Sequence, residues 1–192
     1  MLSKTIGNVT IYFEPLIIYG GLIAIILLVQ LVRSIIIVIR FRKVCKNVLD
    51  GKYDDVIKIG TKLLHTYKKY NRRLRTKQLA DRIEKVNFYL SVSYFSTSDD
   101  VQFLSHINEL ITYVNIKEFW LALFYLQKED FETAQTHYDL IACDETTYVA
   151  RTFLDALKSY KKQEVSIAKK KMAEVVNELN YPILKQIAHN IL

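Results

Sequence analysis

The side chains in this chain best suited to hold a metal, or to act as nucleophile and base, are His65, His106, His137 and His189, with Cys45 and Cys143. A structural zinc site takes imidazoles and thiolates in closely spaced pairs. The four histidines lie far apart, and none has a metal-ligand spacing to a cysteine or an acid. Cys45 with a histidine would make a nucleophile–base couple, yet a thiol packs as a small hydrophobe far more often than it reacts. Two cysteines in 192 residues suit a reducing compartment. The sequence has no H-E-x-x-H, no Gly-rich phosphate loop and no G-x-S-x-G. The acid pairs Asp99-Asp100 and Glu129-Asp130 fall where turns are expected, and helix capping accounts for them. The residue pattern therefore points away from an enzyme, a metal or a cofactor, and toward binding.

Binding needs a scaffold, and this one begins with an anchor. Residues 15–39, PLIIYGGLIAIILLVQLVRSIIIVI, hold no charge from Pro15 to Val32. About 20 apolar residues rising ~1.5 Å each cross a hydrocarbon core ~30 Å thick. Arg33 stands near the end of the run, where its stem reaches the headgroups. One membrane-spanning helix is expected at 15–39. Arg40, Arg42, Lys43 and Lys46 follow it with no acid before Asp50, whereas Lys4 and Glu14 precede it. Basic flanks stay on the cytoplasmic side. Residues 1–14 are thus read as an extracytoplasmic tail, and 40–192 as the cytoplasmic domain of a single-pass protein of the cell membrane.

Charge is unevenly placed. Residues 40–85 carry 15 basic and 5 acidic side chains, residues 86–150 carry 2 and 10, and residues 151–192 carry 8 and 4. The positive block includes Lys68, Lys69, Arg72, Arg73 and Arg75 as well as the cluster after the anchor. Such a block gains roughly 1 kcal/mol per cation near an anionic leaflet. Nucleic acid suits the same charges; the neighbouring anchor favours lipid headgroups over it.

Only five glycines and two prolines occur, so long helices with short turns are favoured over sheets. The apolar period predicts that the anchor helix continues to Val48 and stops at Asp50-Gly51, with Gly in the left-handed cap. Asp54 or Asp55 opens the next helix. Tyr67–Lys77 reads as a basic, polar bridge before a long helix at 76–95. Further helices are expected near 100–113, 116–128, 131–142, 147–161 and 164–179, and a last one from Pro182, a residue suited to the first helical position.

The helices pair, and the pairs repeat. At an offset of 34, Ala122 aligns with Ala156, Ala134 with Ala168, Tyr138 with Met172 and Ile141 with Val175. Small residues at such a period let two antiparallel helices approach, which is the tetratricopeptide repeat (TPR) pattern. Asp130-Phe131-Glu132-Thr133-Ala134 resembles the TPR turn, with Ala122, Tyr125 and Tyr138 at consensus positions. Gly51-Lys52-Tyr53-Asp54-Asp55-Val56 is similar to the same turn, and Leu90, Ser91 and Tyr94 look like the first helix of a degenerate repeat. The fold class expected is all-α: one transmembrane helix followed by a TPR-like α-solenoid of helical hairpins.

The resemblance implies protein binding on a concave groove lined by the first helix of each pair. Carried onto this chain, the lining residues are Phe88, Val92 and Phe95, then Phe119, Leu123 and Leu126, then Phe153, Leu157 and Tyr160. Nearly all are apolar, so the groove suits an amphipathic helix rather than a peptide carboxylate. That helix belongs to a partner, or it is the chain's own amphipathic segment Pro182–Leu192. The function expected is a membrane-anchored adaptor or scaffold that recruits or steadies a protein partner at the cytoplasmic face. The alternatives are an accessory subunit of a larger membrane complex in secretion, division or envelope assembly, or a basic-surface binder of anionic lipid or nucleic acid.

Overall fold

The computed structural model describes residues 3–6 and 9–192, with side chains from residue 19 onward. Two compact units divide the chain, Met1–Arg40 and Phe41–Leu192. In the first, strands β1 (Ser3–Ile6) and β2 (Val9–Tyr12) pair antiparallel, Ser3 opposite Tyr12 and Ile6 opposite Val9. The low glycine and proline content argues against any sheet, but the residues here are mostly Thr, Ile, Val and Tyr, which favour extended backbone. The helix α1 (Phe13–Leu49) takes Pro15 into its first turn, where the missing N–H costs no hydrogen bond. From Tyr19 to Ile39 every large apolar side chain except Ile37 is exposed. By length and composition, α1 is able to span a membrane.

The second unit is helical: the last turns of α1, then α2 (Tyr53–Leu74), α3 (Lys77–Ser96), α4 (Asp100–Ile107), α5 (Val114–Gln127), α6 (Phe131–Asp139), α7 (Tyr148–Lys161), α8 (Val165–Val175) and α9 (Pro182–His189). One kind of turn recurs between α1 and α2, α3 and α4, α5 and α6, and α7 and α8. In each, a single residue is left-handed: Gly51 at φ 72°, Ser98 at 61°, Glu129 at 61° and Gln163 at 65°. Its N–H bonds back three residues and the next N–H bonds back five, as in Glu129 N to Leu126 O at 3.2 Å and Asp130 N to Tyr125 O at 3.0 Å. These two bonds satisfy carbonyls that the ending helix leaves open. At two of the turns the following residue caps the new helix: Asp99 accepts from Gln102 N and Asp130 from Thr133 N, both at 3.1 Å.

The turn sets the packing register. Seven residues before it stand Val44, Ser91, Ala122 and Ala156, all 0 % exposed. Five residues after it stand Val56, Phe103, Ala134 and Ala168, and twelve after it Leu63, Leu110, Ile141 and Val175; none exceeds 2 %. The void beside Ala134 is only about 10 Å³. Between the last two hairpins the spacing is the 34 residues read from sequence; between the second and third it is 31.

Several boundaries differ from the sequence reading. The bridge Tyr67–Lys77 is helical through Leu74, because Tyr67 is buried on the same face as Leu63 and Leu64 and no glycine or proline interrupts it. Only Arg75 (φ 44°) and Thr76 join α2 to α3, the Thr76 hydroxyl accepting from Leu79 N at 3.3 Å. The two helices pack so closely that a Cβ on Gly60 would lie 3.0 Å from Leu90 Cδ2. The helix expected at 100–113 ends at Ile107, because the chain beyond it bonds to Glu84 of α3 instead. Likewise α6 stops at Asp139, and α8 gives way to a 3₁₀ turn at Val176–Glu178.

A left-handed residue with a Cβ costs ~1–2 kcal/mol. Gln163→Gly removes that strain and adds ~0.5–1 kcal/mol of backbone entropy cost, so the variant should be more stable by about 0.5–1 kcal/mol. Thermal unfolding of the full chain followed by circular dichroism checks this; a lower transition would contradict the left-handed turn.

Candidate functional site

The nine expected groove positions lie on α3, α5 and α7, the first helices of three successive hairpins, and two of them, Phe88 and Phe119, line the pocket described below. Val92, Leu123 and Phe153 are 0 % exposed, and Phe88, Phe119, Leu126 and Leu157 are also buried. Phe95 is half-buried between the rings of Phe103 and Trp120, at 5.5 and 5.3 Å, while Tyr160 is 38 % exposed. Phe119 and Phe153 meet at 6.0 Å. Trp120 is the centre of the cluster, edge-on to Phe88, Phe95 and Phe119. Part of this aromatic face is covered by the chain itself. Tyr181, just before α9, stands edge-on to Phe88 and Trp120 at 5.9 and 6.0 Å, and Leu184, Ala188 and Ile191 are buried.

What α9 leaves open is a pocket of about 510 Å³. Its floor is Phe88, Phe119 and Trp120. Val114 and Ile116 of α5 form one wall, Thr146, Thr147 and Ala150 another, and Tyr181 and Leu184 a third. No charged residue lines it. Two of its apolar lining residues are open to solvent: Val114 is 50 % exposed and Ile116 39 %.

The polar atoms around the pocket are committed to the fold. Glu84 Oε2 accepts from Ile111 N at 3.1 Å and Thr112 N at 2.8 Å, and Oε1 accepts from the Thr112 hydroxyl at 2.9 Å. The Tyr113 hydroxyl donates to Asp81 at 2.5 Å. Asn115 Oδ1 accepts from Ala142 N at 3.1 Å, and the Thr147 hydroxyl donates to Ala142 O at 2.6 Å. Glu84 and Asn115 hold equivalent places 31 residues apart, each fastening the loop that leads to the next hairpin. The Tyr113 hydroxyl and Lys85 hold the Asp81 carboxyl below its usual range, and burial pushes Tyr181 up to about 12. With most of its polar groups bonded within the fold, the pocket offers chiefly apolar and aromatic contact, the character of a site for uncharged or apolar side chains.

The residues first considered for chemistry lie elsewhere. His106 Nδ1 pairs with Asn87 Oδ1 at 2.9 Å and its ring stacks on Tyr94 at 5.4 Å. His137 repeats the arrangement 31 residues on, pairing with Glu118 Oε2 at 2.6 Å and stacking on Tyr125 at 5.4 Å. Both hold the second helix of a hairpin to the first. His65, His189 and Cys143 are exposed and Cys45 is half-buried. Arg40, Arg42, Lys43 and Lys46, on α1, and Lys68, Lys69, Arg72, Arg73 and Arg75, at the end of α2, are all exposed. Three of them, Lys68, Arg72 and Arg75, surround one shallow hollow with Asn71. Sequence reasoning passed over Trp120, Tyr181 and Ala150 as pocket residues. The signal for Trp120 was the run Phe119–Leu126, apolar on every side and so expected to be covered all round.

No protein-family model, no curated protein and no solved structure matches the chain.

Two measurements probe this site. A chain ending at Asn180 loses Leu184 and Ile191, each contributing ~1.5–3 kcal/mol by burial, and bares Phe88 and Trp120. Its thermal transition should fall by about 10 °C or more; an unchanged transition would mean that α9 does not pack there. The second concerns acid. Burial, then the nearby Lys68, lower the His106 pKa, while Glu109 acts oppositely. The folded state therefore binds fewer protons than the unfolded chain just below the ordinary imidazole value of about 6.5. The stability from neutral His106 is present above that value and lost as pH falls through the folded pKa. His106→Gln should flatten the decline in melting temperature between neutral and mildly acid pH; a parallel decline in both proteins would remove the assignment.

Proposed function

We propose that the chain is a membrane-anchored, TPR-like adaptor whose helical unit holds a protein partner at the cytoplasmic face of the cell membrane. The observation that carries this reading is the pocket: aromatic floor, no charged lining, most polar groups already bonded within the fold, and exposed Val114 and Ile116 in its wall. An apolar mouth of this kind in a soluble unit is a mark of a docking surface. Its capacity fits large apolar side chains from one face of an amphipathic helix. The four like turns and their common packing register support the comparison with TPR hairpins. The anchor and the cations after it support the orientation, with residues 1–14 outside. The adaptor acts by binding, without a catalytic step.

The test uses the full chain in cells. A photo-crosslinking residue at Val114 should trap one discrete partner, and Ala150→Phe, which fills the pocket from its wall, should abolish that product without lowering the melting temperature. A crosslink that survives the filled pocket would refute the reading. In the same cells Cys143, which is exposed, should resist an impermeant thiol reagent while a cysteine placed at Ser3 reacts; the reverse would overturn the orientation.

A further inference from the structure

The tip where α2 meets α3 carries features that the packing does not use. From Val56 to Ala80 the sequence has no acid. The last turns of α2 expose Lys68, Lys69, Arg72 and Arg73, and Arg75 follows in the left-handed conformation. Among the described residues one of these five has an acidic partner: Lys68 Nζ reaches Glu109 Oε2 at 3.5 Å, with both side chains about half exposed. Lys68, Asn71, Arg72 and Arg75 surround a hollow, and between Arg73 and Arg75 stands Leu74, 65 % exposed. A lone exposed leucine is ordinary. Here it is the apolar point of a cationic hairpin end, a mostly exposed side chain with an arginine on either side in the chain.

We propose that this tip is a contact site for the surface of an anionic lipid bilayer, distinct from the transmembrane anchor. The cations meet lipid phosphates around the hollow, and Leu74 enters the boundary between headgroups and acyl chains, the division of labour of interfacial helices. Each cation near an anionic leaflet strengthens binding about fivefold. The end of α2 itself carries roughly half a negative charge from its backbone dipoles, which the five exposed cations outweigh. Nucleic acid would engage the same cations, but its phosphate backbone has no place for Leu74, and the leucine is what favours lipid. The proposal is independent of the adaptor reading, since nothing in it involves the pocket or its occupant.

The experiment uses the full chain held in nanodiscs of neutral phosphatidylcholine, so that a second membrane is the only anionic surface. Vesicles of phosphatidylcholine with phosphatidylserine should carry the loaded discs upward in a flotation gradient, and vesicles of phosphatidylcholine alone should not. Arg72→Gln with Arg75→Gln should weaken flotation roughly thirtyfold, and high salt should abolish most of it. Leu74→Ser, at an exposed position that leaves folding unchanged, should weaken it as well. A Leu74→Cys chain with both native cysteines replaced by serine and an environment-sensitive dye at residue 74 should shift its emission to the blue on the anionic vesicles. Equal flotation with neutral vesicles, an unmoved dye, or displacement of the vesicles by a short single-stranded RNA that binds more tightly and ignores Leu74→Ser would each overturn the proposal.

Discussion

The helical unit depends on one backbone event repeated four times: a helix closes through a single left-handed residue, and the next residue begins the helix that folds back. Two hydrogen bonds, spanning three and five residues, fix the angle at which the second helix leaves. Once that angle is set, the residue seven before the turn and the residue five after it must share the crossing between the helices. Val44 with Val56, Ser91 with Phe103, Ala122 with Ala134 and Ala156 with Ala168 are the four solutions, each fully buried or nearly so. The crossing tolerates a large partner beside Ser91 and demands two small ones in the third and fourth hairpins. The packing within each hairpin is thus a consequence of the turn.

Much of this was legible in the residues. Gly51 announced its own left-handed conformation, because glycine meets no Cβ penalty there. Asp99 and Asp130 announced helix starts, and both cap. Ser98 and Glu129 fall at expected turns, but neither they nor Gln163 announced a left-handed conformation, in which each meets the Cβ penalty. The bridge at Tyr67–Lys77 misled because its charges are conspicuous, whereas one buried tyrosine decides its conformation. The shortened α4 could not be foreseen locally, since the group that ends it, Glu84, lies 27 residues before Ile111, whose N–H it accepts. The spacing of Phe88, Phe119 and Phe153 gave the nine expected groove positions, of which Phe88 and Phe119 line the pocket. The pocket itself was not readable, because it is what remains after α9 has taken its share.

That sharing shapes what the unit can hold. An inner face left bare would present Phe88, Phe119, Trp120 and Phe153 together, a larger apolar area than a soluble unit carries comfortably. With α9 and Tyr181 in place, the exposed part contracts to a mouth at the start of α5. Several polar residues around it, Thr112, Tyr113, Asn115 and Thr147 among them, bond to other parts of the fold, while its apolar residues Val114 and Ile116 are exposed. The basic tip of α2 and this mouth have opposite character: one is charged with a single apolar point, the other apolar without charge.

Glu84 and Asn115 serve the same end with different chemistry, a carboxylate in one hairpin and an amide in the next, each accepting a backbone N–H from the loop that follows. What passes from hairpin to hairpin is therefore an acceptor oxygen at a given reach, not a residue type. The same holds for the partners of His106 and His137, an amide and a carboxylate in the opposite order. The chain is consequently periodic in its architecture and nearly aperiodic in its alphabet, and a comparison made letter by letter looks for the repetition where it is not kept.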